Sequence, residues 1–250
     1  MVDIHSHILP EVDDGPKTWD ACVAMCRAAA ADGITHMVAT PHANDRYHYD
    51  REYLRGMLAH LQQLLGDAPS LSLGCDFHLS YDNLQDALAN PTRYVIEGTR
   101  YLLVEFSNYS IPQQIMDSFL KLGDCGLTPI VTHPERNPIL RETLPRVVDW
   151  AEQGCVIQMT GSALTGQWGE RTRQAAQWLL EHQVVHVLAS DAHDLENRPP
   201  VLSTARNAAA EICGEEVAEA LVETNPRAII TNQPLPYFPE PVQTSYRRGS

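Results

Sequence analysis

The chain has no apolar run approaching the ~18 residues that a membrane-spanning helix requires, so no membrane insertion is expected. It has no Lys/Arg run in its first 240 residues, and its formal net charge is -14. Such a surface repels a polyanion, which disfavours nucleic acid as a partner. The six cysteines (Cys22, Cys26, Cys75, Cys125, Cys155, Cys213) are scattered and form no Cys-x-x-Cys pair. Most stand where apolar residues would, which reads as reduced, buried thiols and therefore a cytoplasmic compartment. The start of the chain, with neither a basic leader nor an apolar h-region, agrees with that expectation. Covalent catalysis lacks its usual marks as well. None of the cysteines has an arginine six positions on, and Gly-x-Ser-x-Gly and His-Glu-x-x-His are absent. The segment from Gly161 to Gln167 resembles a phosphate loop but lacks its Lys and Ser/Thr.

What is there is an ordinary globular composition, 44% hydrophobic and 20% charged, over 250 residues. That length fits two small domains or one α/β barrel, and one domain with one core is the favoured reading. Helical periodicity is clearest over 18–32, where Trp19, Cys22, Val23, Cys26 and Ala30 share a face before Gly33, and over 51–65, where Leu54, Met57, Leu58, Leu61, Leu64 and Leu65 form a stripe. Further helices are expected near 82–89, 112–123, 143–153, 169–182 and 201–223. Strands are expected at Val2-Asp3-Ile4, 36–40, 71–75, 101–105, 129–132, 156–159 and 186–189. Seven strands separated by helices imply parallel βαβ units, and both a closed barrel and an open doubly wound sheet fit. Residues 1–233 would form the domain and the proline-rich 234–250 a tail, ordered only where it packs.

Six of the seven strands end in residues able to hold a metal: His5 and His7, His42, Asp76, Glu105, His133, and Asp191 with His193, while Asp14 follows the first group. His5-x-His7 sends two imidazoles to one side of an extended segment, because side chains alternate with period two. Carboxylates and imidazoles suit Mn²⁺, Fe²⁺ or Zn²⁺, and their number exceeds what one ion uses. Metal-assisted hydrolysis with two or three ions clamping a phosphate is the expected chemistry, the nucleophile being a water whose pKa coordination lowers to about 7. Functional groups ringing strand C-termini belong to the mouth of a barrel rather than the edge of an open sheet.

The segments Asp3-Ile4-His5-Ser6-His7-Ile8-Leu9-Pro10, Asp13-Asp14-Gly15, Ala39-Thr40-Pro41-His42, Val104-Glu105-Phe106-Ser107, His133-Pro134-Glu135-Arg136-Asn137 and Ser190-Asp191-Ala192-His193 carry a resemblance. In order and spacing, over about residues 2–232, they resemble the polymerase and histidinol phosphatase (PHP) superfamily, in its branch of bacterial capsule-regulating, manganese-dependent protein tyrosine phosphatases. The resemblance implies a distorted (β/α)7 TIM-like barrel with three ions. It implies that His5, His7, Glu105 and Asp191 hold one ion, that Glu105 bridges to a second held by Asp76 and His133, and that Asp14, His42 and His193 hold the third. It places Arg136 and Arg198 on the phosphate, with Asp191 and His193 completing the catalytic set. Where the family usually has Glu in a Gly-x-Glu segment, this chain has Gly74-Cys75-Asp76, one methylene shorter; His78 lies on the same side and would compensate.

The implied cofactor is Mn²⁺, with Fe²⁺, Zn²⁺ or Co²⁺ as alternatives, and the implied partner is a tyrosine-phosphorylated protein such as a bacterial polysaccharide-export autokinase. Strong metal assistance without a dedicated general acid favours an aryl leaving group, since a phenol has a pKa of about 10. A second enzyme reading keeps the site but acts on a small ester such as histidinol phosphate or on a nucleic-acid phosphodiester, the acidic charge speaking against the latter; a reading of a different class is an inactive PHP-like binding module. The full ligand complement argues against the last. His36, His60, His182 and His186 read as structural or solvated, and His48 as a candidate lining of the substrate cleft.

Overall fold

The computed structural model describes residues 1–242, so the basic end from Tyr246 to Ser250 lies outside the described residues. The strands are β1 (Val2–Ser6), β2 (His36–Ala39), β3 (His42–Ala43), β4 (Ser70–Leu73), β5 (Asp76–His78), β6 (Tyr101–Glu105), β7 (Thr128–Thr132), β8 (Val156–Thr160) and β9 (Val187–Ala189). They pair in the orders β1-β2-β4 and β3-β5-β6-β7-β8-β9, and every ladder is parallel. The fold is therefore α/β with parallel sheets.

Two expected strands are each broken in two. The run at 36–40 stops at Ala39 and resumes at His42, because Pro41 has no N–H to give a ladder. The run at 71–75 stops at Leu73 and resumes at Asp76. Bonds from Gly74 N to Ala39 O (2.8 Å) and from Asp76 N to Pro41 O (3.2 Å) keep the segments side by side through the break. A Cβ at position 74 would lie 3.0 Å from Val38 Cγ1 and 3.2 Å from Thr40 Cγ2, so the bend is packed around glycine. The first and last strands also meet. Asp191 N donates to His5 O (2.9 Å) and His7 N to Ala192 O (2.8 Å), while the Asp3 carboxylate accepts from Ser190 N (3.0 Å) and Ser190 Oγ (2.5 Å).

Alternate residues along the strands enter different apolar clusters, as a period of two requires. Leu102 and Val104 join the large cluster with the helices, whereas Tyr101 and Leu103 join a smaller one with Val2, Ile4, Val38, Ile130 and Val187. With both faces buried, the strands read as continuous apolar runs rather than alternating ones. Helix Trp19–Ala31 starts where Thr18 Oγ1 accepts from Ala21 N, and buries Cys22, Met25, Cys26 and Ala29. Helix Arg51–Leu65 starts at an Asp50 cap and buries Leu54, Leu58 and Leu61.

The helical region expected over about 201–223 is present and is built from several helices. Ser203–Cys213 ends at Gly214, whose φ of +85° a glycine adopts without strain, and Glu215–Glu219, a π-helical turn Ala220–Thr224 and Asn225–Ile230 follow. The segment read as a tail is tied down at two points within 234–242, though much of it is exposed. Tyr237 N donates to Asn225 Oδ1 (3.0 Å), and Val242 N donates to His182 O (3.1 Å). No helix among the described residues is long and apolar enough to cross a membrane.

Candidate metal centre

The ends of the strands bring all nine expected ligand residues together. Four groups have donor atoms within 4.8 Å of one another: His7, Asp14, His42 and His193; His5, His7 and Asp76; His5, His133 and Asp191; and His42, Asp76 and Glu105. Asp14 Oδ1 lies 3.2 Å from His193 Nε2 and 3.4 Å from His42 Nε2. His5 Nε2 lies 3.4 Å from Asp191 Oδ1 and 3.5 Å from Asp76 Oδ2. The shorter Asp76 side chain still reaches, its Oδ2 being 3.1 Å from His42 Nδ1.

Glu105 lies with His42 and Asp76, the β5–β6 register setting it opposite His78, and its Oε1 is also 3.9 Å from His133 Nε2. His133 lies with His5 and Asp191 as well. His78 belongs to none of the four groups; its Nδ1 is 3.7 Å from Glu105 Oε2. His48 lies in a cleft of about 730 Å³ with Lys17, Arg46 and Tyr47, and the Tyr47 ring stacks on His42 at 5.9 Å between centroids.

The donor set fits a cation on a direct observation. His42 Nδ1, both Asp76 carboxylate oxygens, Asp191 Oδ1 and His193 Nε2 are buried and have no hydrogen-bond partner. Buried polar atoms are nearly always partnered, and a divalent ion satisfies such lone pairs. Burial pushes His7 down to about 4 with help from His193, and pushes His133 down to about 3 with help from Arg136, so both rings are neutral, as ligands must be. Burial acts against a charged His5, but the carboxylates of Asp191 and Asp76 outweigh it and raise this ring to about 9. Burial alone would raise Asp191; Arg136, His5 and Arg198 outweigh it and hold this carboxyl well below the usual range. His133 and Asp191 also have φ of 36° and 52°, a left-handed conformation that non-glycine residues seldom adopt and that collects at functional sites.

Arg136 and Arg198 both donate to Asp191 Oδ2, Arg198 Nη2 at 2.6 Å. The two guanidinia thus stand beside the cluster on one carboxylate oxygen, whose companion oxygen faces the imidazoles.

Three contributors escaped the reading of the sequence. Asp13 Oδ2 lies 2.6 Å from His7 Nδ1 and orients the ring, while Gln158 Oε1 lies 2.9 Å from His5 Nδ1 and does the same there. Gln158 carried a signal, since it is the polar residue inside the apolar run of the one strand that ends in no ligand. Trp168, against which both arginines lie, carried none.

A parallel α/β scaffold with imidazoles, carboxylates and two arginines at its strand ends has the parts of a metal-assisted hydrolase. Residues 1–231 match the capsular polysaccharide synthesis family CpsB/CapC, and the chain belongs to that family. It is 31% identical over 251 residues to the tyrosine-protein phosphatase YwqE of Bacillus subtilis, covering 99% of this chain and 98% of that one. It is 29% identical over 242 residues to the tyrosine-protein phosphatase CpsB of Streptococcus pneumoniae, covering 93% and 99%. A crystal structure from work on YwqE of B. subtilis and CpsB of S. pneumoniae, described as unique metal-dependent tyrosine phosphatases, superposes with a TM-score of 0.89 at 29% identity, covering 98% of this chain and all of that one.

Proposed function

We propose that this protein is a metal-dependent protein-tyrosine phosphatase, with its activity carried by residues 1–233 and its ions, Mn²⁺ foremost, held at the mouth of a distorted (β/α)7 barrel. The barrel reading is supported by the hydrogen bonds that join β1 to the end of β9. The observation that carries the function is the juxtaposition of five unpartnered buried ligand atoms with two guanidinia on Asp191. The relatives named as tyrosine-protein phosphatases supply the substrate class.

The ligands in this reading are His5, His7, Asp14, His42, Asp76, Glu105, His133, Asp191 and His193. Bound ions supply Lewis acidity and an activated water for in-line attack on phosphorus. Arg136 and Arg198 grip the phosphate oxygens, which a planar guanidinium does with paired donors. Asp191 orients both arginines through one oxygen and presents the other to the ions. Asp13 and Gln158 hold the rings of His7 and His5 in place. No side chain in the cluster is set aside as a general acid, which suits a phenolate leaving group. Asp14, about half exposed, the open cleft of about 730 Å³ lined by Tyr47 and His48 and that of about 590 Å³ lined by Trp168 and Arg198 suit a phosphate presented by a protein rather than an enclosed small ester. A tyrosine autokinase of polysaccharide export is the proposed partner, and the unpaired cysteines support a cytoplasmic site of action.

The test is phosphate release by the Mn²⁺-loaded protein from a phosphotyrosine peptide, a phosphoserine peptide and histidinol phosphate in parallel. Chelator-sensitive release selective for phosphotyrosine is expected. Preference for histidinol phosphate would overturn the substrate class, and release that survives the chelator would overturn the metal.

A further inference from the structure

Both arginines lie over the ring of Trp168. Arg136 Cζ is 3.7 Å from the ring centroid and Arg198 Cζ is 5.3 Å from it. A guanidinium within ~6 Å of an aromatic centroid is attracted by the ring quadrupole, and indole is the strongest such ring. The ring is itself tethered, since Trp168 Nε1 donates to Ser162 Oγ at 2.9 Å. The loop that carries it turns through Gly166 and Gly169, with φ of +85° and +84°, so its path depends on glycine at both ends.

Two like charges that converge on one carboxylate oxygen repel each other, and Asp191 Oδ2 alone does not set their separation. The indole supplies a second attraction shared by both. Arg136 Nε and Arg198 Nε are buried and have no hydrogen-bond partner, so each guanidinium keeps N–H donors that Asp191 does not take up. We propose that Trp168 is a positioning residue whose indole face holds Arg136 and Arg198 in the paired orientation that receives the substrate phosphate. This rests on the phosphatase reading and deepens it. Without the ring, each arginine must be immobilised by the phosphate itself, so phosphate binding weakens while the metal cluster is untouched.

The test uses the Mn²⁺-loaded full chain, reading calorimetric affinity for inorganic phosphate beside steady-state kinetics on a phosphotyrosine peptide. Trp168→Leu keeps apolar bulk and removes the π face, Trp168→Phe keeps a smaller π face, and Ser162→Ala releases the indole N–H. Trp168→Leu is expected to weaken phosphate binding and raise KM about tenfold with a smaller change in kcat, while Trp168→Phe stays within about threefold of the parent. Ser162→Ala should fall between them, and metal content should be unchanged throughout. Equal phosphate affinities for the Leu and Phe variants would overturn the proposal, as would loss of bound metal in the Leu variant. If Trp168→Leu does not fold, Ser162→Ala decides, and an unchanged phosphate affinity there overturns it. Calorimetry needs no turnover: a parent protein that binds phosphate but releases none from any ester overturns the phosphatase reading and leaves the Trp168 comparison readable.

Discussion

The two ends of the parallel strands treat buried polar groups differently. At the N-terminal ends several are partnered, although His186 Nε2 is buried without a hydrogen bond. Tyr101 Oη donates to Gln233 O (2.7 Å), both nitrogens of His36 lie within 2.9 Å of the Ser70 and Ser72 hydroxyls, and Asn225 makes three hydrogen bonds to His186 and Tyr237. At the C-terminal ends, His42, Asp76, Asp191 and His193 keep buried atoms without hydrogen bonds, and His133 and Asp191 are held in the left-handed region. A satisfied group stabilises the fold, whereas a set of unsatisfied ones in a strained frame is a site kept for a ligand. Stability and function therefore occupy opposite ends of the same strands.

The largest test of that division is Asp191→Ala, which removes a carboxylate shared by the cluster and both arginines. Phosphate release should fall by about a thousandfold or more. Activity within tenfold of the parent would sink the division at its functional end.

At the other end, Asn225→Ala removes one buried hydrogen bond to His186 O and two half-buried ones to the Tyr237 backbone, and should cost about 2 kcal/mol in denaturant unfolding, with kcat unchanged in the protein that remains folded. A fall in kcat without a loss of stability would reverse the comparison.

The smallest effect concerns His186, whose ring accepts from Ile157 N through Nδ1 and meets the Phe238 ring at 4.6 Å. Burial lowers it from its ordinary 6.5 to about 4. Because the folded form binds its proton less readily than the unfolded chain, its contribution is complete above about 6.5 and is lost as pH falls from there toward 4. Between pH 7 and pH 5 the loss is about 2 kcal/mol. His186→Phe should flatten that part of the stability profile; parallel profiles for the two proteins would show that this ring is not the sensor.

Much of this was legible in the chain. Each expected strand appears, since apolar runs bounded by turn residues state their length locally, and each of the nine expected ligands arrives at the cluster. The misses share a cause. The breaks that create β3 and β5 arise at Pro41 and Gly74, where a single residue alters pairing inside a run that still reads as strand. The helical region over about 201–223 was legible, but its division at the left-handed turn of Gly214 was not. Asp13 and Gln158 were visible as polar residues but not as partners, because a hydrogen bond to a ring nitrogen depends on where that ring comes to rest.

The sequence by itself determined which chemistry is available here. Imidazoles and carboxylates at successive strand ends, and arginines shortly after two of them, are local facts that follow from side-chain alternation and strand length. Only the tertiary structure decided which of them meet. Asp14 with His42 and His193 is the set the resemblance already implied, whereas Glu105 with His42 and Asp76, and Trp168 with Arg136 and Arg198, are neighbours through strand register and loop path. Those depend on cooperative packing of the whole sheet, in which a shift of one residue turns every side chain to the other face.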